Sequence, residues 1–389
     1  MNATPITRCP PPARLTAEVL DKRGAESAAF PAIDGGVCTF AYSGPAIRVR
    51  LTHFGVGLPD DLDFEQLDSH GECQDPGGDQ SWWLLALRFP HGARLEYKLE
   101  VTDSFGTRLI EDPLNPRAAH HPFGANSVCK AAGYVEPDWS RQHDGVPTGS
   151  IRDCATDSAA LGREARASIY LPAGFTQTPV EPYPLVIVHD GGDYLNYAAA
   201  STVLDNLIDR GDIPPTVVTF LHPGERLLEY ADDPGHHAYL TTELLPRLER
   251  ELPLAAAAQG RCLIGCSFGA VASLSAAAHA PDTFGTLLLQ SGSFAGAGEG
   301  CWPRPEPLWR PVKQFVRKFV AAPAVVADRI YVTCGMFESL ICENRGLVPV
   351  LEGTGMDVRF DQTLDGHNWA SWRDSLGVAL PTLVASPRG

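Results

Sequence analysis

The sequence predicts an α/β protein: a mostly parallel sheet flanked by helices, preceded by a small all-β sandwich. Three observations carry that prediction. From Phe30 to Val101, short β-type runs are separated by Gly, Pro and Asp. Beyond residue 151, apolar runs of four to six residues alternate with helix-length segments, as in a helix-covered parallel sheet. A Gly-x-Ser-x-Gly pentapeptide, Gly265–Gly269, sits where one such run hands over to a helix. At 389 residues, the chain has room for two domains of roughly 100–200 residues each.

In chain order, residues 1–27 are rich in Pro and charge and read as a lead-in. Residues 28–132 are expected to form the sandwich, with strands near 37–40, 46–51, 82–87 and 95–101. The second and last of these alternate apolar and polar residues, as half-buried antiparallel strands do. Alternation also sends Trp82 and Trp83 to opposite faces, so core packing is the expected fate of the pair. Asp112-Pro113-Leu114-Asn115-Pro116 breaks regular structure, because proline lacks an amide donor and restrains its predecessor. Residues 133–150 are rich in turn formers and read as a linker, leaving 151–389 as the second domain. Its strands are expected at 185–188, 217–220, 262–264, 286–289, 330–333 and 358–360. Its helices are expected at 198–210, 239–252, 270–279 and 343–353.

Composition narrows the function. With 47 acidic against 31 basic residues, a formal charge of −16 disfavours a nucleic-acid backbone or an anionic membrane as the main partner. No apolar run reaches the ~18 residues of a membrane helix, and the N-terminal residues lack an apolar export segment, so a cytoplasmic protein is expected. The ten cysteines include no C-x-x-C and no zinc-type spacing, so reduced thiols and no metal site are expected.

Gly265-Cys266-Ser267-Phe268-Gly269 is the sharpest chemical signal. The flanking glycines allow a turn in which backbone meets backbone, and the turn would hold Ser267 above the sheet as a nucleophile. Its base must come from elsewhere in the fold. His367, in Asp365-Gly366-His367-Asn368-Trp369 just past the last strand, is the candidate. Adjacent pairs His120-His121 and His236-His237 read as solvated or capping groups. The acid is expected after the 330–333 strand, where Glu338 is the first choice and Glu343, Asp361 and Asp365 remain alternatives, as does a Ser–His dyad. Two N–H donors should face the developing oxyanion: Phe268, directly after the nucleophile, and Gly192, or else Gly191, in His189-Asp190-Gly191-Gly192.

These residues resemble the enterochelin esterases and the wider putative-esterase family of α/β hydrolases. The resemblance rests on His189–Gly192, Arg226–Tyr230, Glu243–Pro246, Gly265–Ala270, Gln290–Phe294, Gly335–Glu338 with Asn344, and Gly366–Trp369 with Trp372-Arg373. It implies a cofactor-free serine esterase acting on a small-molecule ester, such as a siderophore or an acyl sugar. It also likens the N-terminal part to an early-set, immunoglobulin-like domain. Tyr194 and Arg226, beside the family motifs, are candidate substrate contacts. Trp302 and Trp309 join them, in a 296–309 segment that reads as an insertion over the site. Arg304, Arg310, Lys313, Arg317 and Lys318 could meet an anionic substrate, although their spacing fits an exposed helix face better. An acyltransferase of the same fold and a non-catalytic binding protein are the competing readings.

Overall fold

A computed structural model describes residues 6–17, 19–20, 30–53, 55–67, 81–298 and 303–384. Its contacts divide the chain into two units. One comprises Met1–Val135 together with Met336–Glu338 and Leu364–Asn368, and the other holds the remainder.

The first unit is built from two antiparallel sheets. One runs β1 (Thr7–Cys9), β6 (Trp82–Arg88), β3 (Val37–Ser43), β2 (Ala32–Asp34), with β5 (Glu65–Gln66) also paired to β6. The other runs β4 (Arg48–Thr52), β7 (Arg94–Asp103), β10 (Gly124–Lys130), β9 (Ala118–His121), with β8 (Gly106–Ile110) also paired to β7. Alternation decides what faces inward. Leu95, Tyr97, Leu99 and Val101 of β7 join Val49 and Leu51 of β4 and Phe40, Leu85 and Leu87 of the other sheet in one apolar cluster. Trp82 and Trp83 are both buried, Trp83 in this cluster and Trp82 in a second one on the opposite face of β6. Part of the lead-in is structured too, since Thr7–Cys9 pairs with Arg88–Ala86. The break at 112–116 is closed by its own side chains. Tyr97 donates its hydroxyl to Asp112 at 2.6 Å, and Asn115 donates to the Val128 carbonyl at 2.9 Å.

In the second unit an eight-stranded sheet has the order β11 (Ser150–Ser158), β12 (Arg163–Leu171), β14 (Val217–His222), β13 (Leu185–Val188), β15 (Arg261–Cys266), β16 (Thr286–Gln290), β17 (Arg329–Gly335), β18 (Asp357–Thr363). The last six of that order pair in parallel, while β11 and β12 are antiparallel additions at one edge. Period-two geometry splits each central strand between two cores. Leu185 and Ile187 enter the cluster covered by helices Tyr239–Glu251, Phe268–His279, Arg310–Ala321 and Ile341–Glu352. Val186 and Val188 enter the one covered by Gly191–Tyr197, Ala200–Asp209 and Trp369–Leu383. Each such side chain fully buried contributes about 1.5–3 kcal/mol, which is why these runs are apolar on both faces.

The structure departs from the expectations in four places. The helix expected at 239–252 opens as π-helical turns over Tyr239–Leu244 before becoming α at Leu245–Glu251. Pro246 has no amide to donate and its ring crowds the preceding turn, so the ladder there widens. Residues 138–140 of the expected linker form a short 3-10 turn, and Asn206 donates to the Trp139 and Arg141 carbonyls at 2.8 and 2.7 Å. His236 and His237 are buried, which overturns the solvated half of the expectation of solvated or capping groups. Cys38, Cys129, Cys262 and Cys266 are buried free thiols, but Cys342 is disulfide-bonded, which overturns the expectation of reduced thiols at that position. Among the described residues, no helix is long and apolar enough to cross a membrane.

Candidate active site

Strand β15 ends at Cys266 and a helix begins at Phe268, leaving Ser267 as the single hinge residue at φ 56°, ψ −119°. The turn is as tight as the pentapeptide implied. A Cβ on Gly265 would stand 2.0 Å from the Gly269 carbonyl oxygen, so only glycine fits there. Backbone bonds fix the hinge: Ser267 N–H donates to Gln290 O at 2.9 Å, and Ser293 N–H donates to Ser267 O at 3.1 Å. Ser267 is half-buried, and its Oγ lies 3.2 Å from Ser293 Oγ. Ser293 lies within the Gln290–Phe294 segment, where nothing in the local sequence marks it as a neighbour of Ser267. Asn344 explains the motif's shape, accepting from Gly292 N–H at 3.1 Å and donating to Gly292 O at 2.9 Å.

Glu338 lies three residues beyond the end of β17, and His367 four beyond the end of β18. The structure brings them together. His367 Nδ1 donates to Glu338 Oε2 at 2.6 Å, with the glutamate side chain 1% exposed and the histidine side chain 30% exposed. Nδ1 therefore carries the proton toward the carboxylate, and Nε2 is left as the basic nitrogen of the neutral ring. The alternative acids are engaged elsewhere. Arg304 donates to Glu343 at 3.1 Å, Tyr331 donates its hydroxyl to Asp361, and Asp365 pairs with Arg94.

The glycines after β13 form the first turn of the helix Gly191–Tyr197, where intrahelical geometry supplies no acceptor for an amide. A Cβ on Gly191 would meet the Phe220 backbone at 2.4 Å, so the loop lies flat against β14. Asp190, in the left-handed region at φ 56°, anchors this turn. Its buried carboxylate accepts from Arg226 Nε and Nη2, both at 2.6 Å, and the Asp190 N–H donates to the Tyr230 hydroxyl oxygen at 3.1 Å.

The family described as "Putative esterase" matches residues 158–383, more than half of the chain. The chain belongs to this family. It is an enzyme that acts on esters. Its similarity extends to the iron(III) enterobactin esterases of Escherichia coli K12, 26% identical over 296 residues, and Dickeya dadantii, 27% identical over 299. The first match spans 73% of this chain and 70% of the relative, the second 69% and 63%. Among solved structures, the enterobactin esterase of Shigella flexneri has the same fold, with a TM-score of 0.67 at 22% identity over 89% of this chain and 92% of that one.

The esterase uses other predicted residues differently. Tyr194, expected to contact substrate, is 1% exposed and donates its hydroxyl to Gln290 Oε1 at 2.5 Å. Its place in the helix turns it into the core, which corrects that expectation. Arg226, also expected to face substrate, has both of its bonds to Asp190 and braces the glycine loop. The Trp309 ring centroid lies 5.0 Å from that of Phe268, and the Arg304 guanidinium sits over the Trp309 ring, 5.0 Å from its centroid. Trp302 lies outside the described residues. Arg310, Lys313, Arg317 and Lys318 belong to helix Arg310–Ala321, which buries Val312, Phe315, Val316 and Phe319, whereas Arg304 precedes it and pairs with Glu343.

Two histidine groups lie in the same unit. His189 Nδ1 faces the Ile264 carbonyl at 3.1 Å, so Nε2 accepts from His236 Nε2 at 2.9 Å. Burial pushes His189 down to about 4. Asp232, His237 and His279 bring one ligand atom each within 4.8 Å of one another, as a metal site would. Their arrangement is that of a hydrogen-bonded stack: the rings lie 4.4 Å apart, His279 Nε2 contacts Asp232 at 3.1 Å, and His237 Nε2 contacts Ser275 Oγ at 3.0 Å. The group sits at the far end of the helix that Ser267 begins.

Proposed function

We propose that this esterase cleaves a carboxylic ester through an acyl-Ser267 intermediate, with His367 as general base and Glu338 as its orienting acid. The observation that carries the reading is the hinge at Ser267, a non-glycine residue held in strained backbone at the carboxyl end of a central parallel strand. The 2.6 Å bond between Glu338 and His367 supports it, because it sets the imidazole tautomer that a serine nucleophile requires.

In this reading His367 Nε2 takes the Ser267 proton as Oγ attacks the ester carbonyl. The Phe268 and Gly192 N–H groups, with Gly191 as the neighbouring alternative, hold the oxyanion. The imidazolium returns its proton to the departing alkoxide. Water, deprotonated by the same nitrogen, then releases the acid and restores the serine hydroxyl. None of these steps calls on a cofactor.

The substrate class we propose is an ester of the siderophore type, on the similarity to enterobactin esterases, with acyl sugars as the competing class. The N-terminal sandwich is read as an early-set, immunoglobulin-like domain on the strength of its two antiparallel sheets. The compartment proposed is the cytoplasm. The buried thiols favour it and the Cys342 disulfide weighs against it, so thiol titration of protein purified without reductant decides the point.

A panel of p-nitrophenyl esters, feruloyl and acetyl sugars and a trilactone siderophore tests the substrate, with Ser267→Ala as control. Preferred turnover of the trilactone supports the siderophore class, and preferred turnover of the sugars replaces it.

A further inference from the structure

Both neighbours of the His367 backbone segment are held by one arginine. Arg94, the first residue of β7 and 3% exposed, donates from Nη1 to Asp365 Oδ2 at 3.2 Å and to Asn368 Oδ1 at 3.0 Å. Its N–H donates to the Leu364 carbonyl at 2.9 Å. Nη2 donates to Glu96 Oε1 at 2.7 Å, which fixes the plane of the guanidinium. Asn368 Nδ2 and Gly366 N–H each donate to Asp365 Oδ1 at 2.7 Å, closing a ring of bonds around residue 367.

A second set of contacts holds the Glu338 loop to the same β unit. A Cβ on Gly55 would lie 1.7 Å from the Phe337 carbonyl oxygen, so backbone meets backbone there. The Phe337 ring is buried in the sandwich core, and its N–H donates to Asp365 O at 3.0 Å. The two loops thus form part of the N-terminal unit, as the contact division also has it.

We propose that Arg94 is a positioning residue for His367, acting through Asp365 and Asn368, all four within the same unit. The inference rests on the catalytic reading above. Its physical basis is that each cut leaves a buried donor or acceptor of the network unpaired, and the loop must move to satisfy it. A displacement of about 1 Å in a catalytic group costs up to ~10²-fold in rate.

The test uses the full chain with Arg94→Lys, Asp365→Asn and Asn368→Ala, which cut the network from three sides. For each, kcat, KM and the rate of Ser267 labelling by a fluorophosphonate are measured, normalised to folded protein by near-UV circular dichroism. The proposal expects kcat and labelling rate to fall together by about 10–100-fold, with KM changed less than about 3-fold. Arg94→Lys should lose less than Arg94→Met, since it keeps the charge and loses the fork. A folded variant of the three with wild-type kcat and labelling rate overturns the proposal. Amide exchange in the wild-type protein adds a readout that needs no variant. Residues 364–368 should exchange more slowly than the exposed hairpin turn at 103–106, and equally fast exchange would also overturn it. Failure of the catalytic reading looks different, because Ser267→Ala would then retain turnover.

Discussion

Ser267 occupies backbone that a side chain rarely adopts, and the surrounding bonds to Gln290 and Ser293 hold it there. Ser267→Ala should therefore abolish turnover, by about 10⁴-fold or more, without loss of the fold. His367→Ala should approach the same loss, because members of one catalytic unit do not act additively. Glu338→Gln keeps the geometry and loses the charge that stabilises the imidazolium, so its defect should be smaller by about two orders of magnitude. Steady-state kinetics on one p-nitrophenyl ester compares all three, and a Glu338→Gln enzyme with wild-type kcat would move the acid elsewhere. Residue identity was legible in the sequence where local chemistry declares it, as at Gly265–Gly269. Tyr194 was not, because nearness to Gly191 and Gly192 in sequence says nothing of which helix face it occupies. Arg94 left no signal at all, since its partner Asp365 is 271 residues away.

At the scale of elements, the parallel strands were readable because burial on both faces makes them continuous apolar runs, as in Leu185–Val188. Helices Gly191–Tyr197 and Trp369–Leu383 were missed: the first opens on two glycines, and the second carries Pro381 inside its span. The elbow is where element geometry is least forgiving. Gly265→Ala would force its methyl against the Gly269 carbonyl, and the strand and helix ends would have to part. The expected result is a loss of about 1–3 kcal/mol or more in urea unfolding, with turnover lost alongside. A Gly265→Ala protein with unchanged stability would mean that the bend is looser than described.

For the whole molecule, the buried histidines predict how the α/β unit responds to acid. His189 and His237 are each held down to about 4, both by burial first. Burial also lowers His236. These rings stay neutral in the folded chain while the unfolded chain takes up protons below about 6.5. Their contribution is thus present above pH 6.5 and is lost as pH falls toward 4. Thermal or urea unfolding followed from pH 7 to 4.5 should show a steep fall, shallower in His237→Gln, and a flat profile would contradict it. Asp365 runs the other way: burial lifts it to about 6 despite Arg94, so its contribution is present below about pH 4 and is lost as pH rises through 6.

The hydrolytic account as a whole stands on one covalent event. Reaction with a fluorophosphonate, followed by intact-mass analysis and peptide mapping, should give a single adduct on Ser267 whose formation is suppressed in His367→Ala. An enzyme that turns over esters while its adduct maps to another residue, or that remains unlabelled, would contradict it.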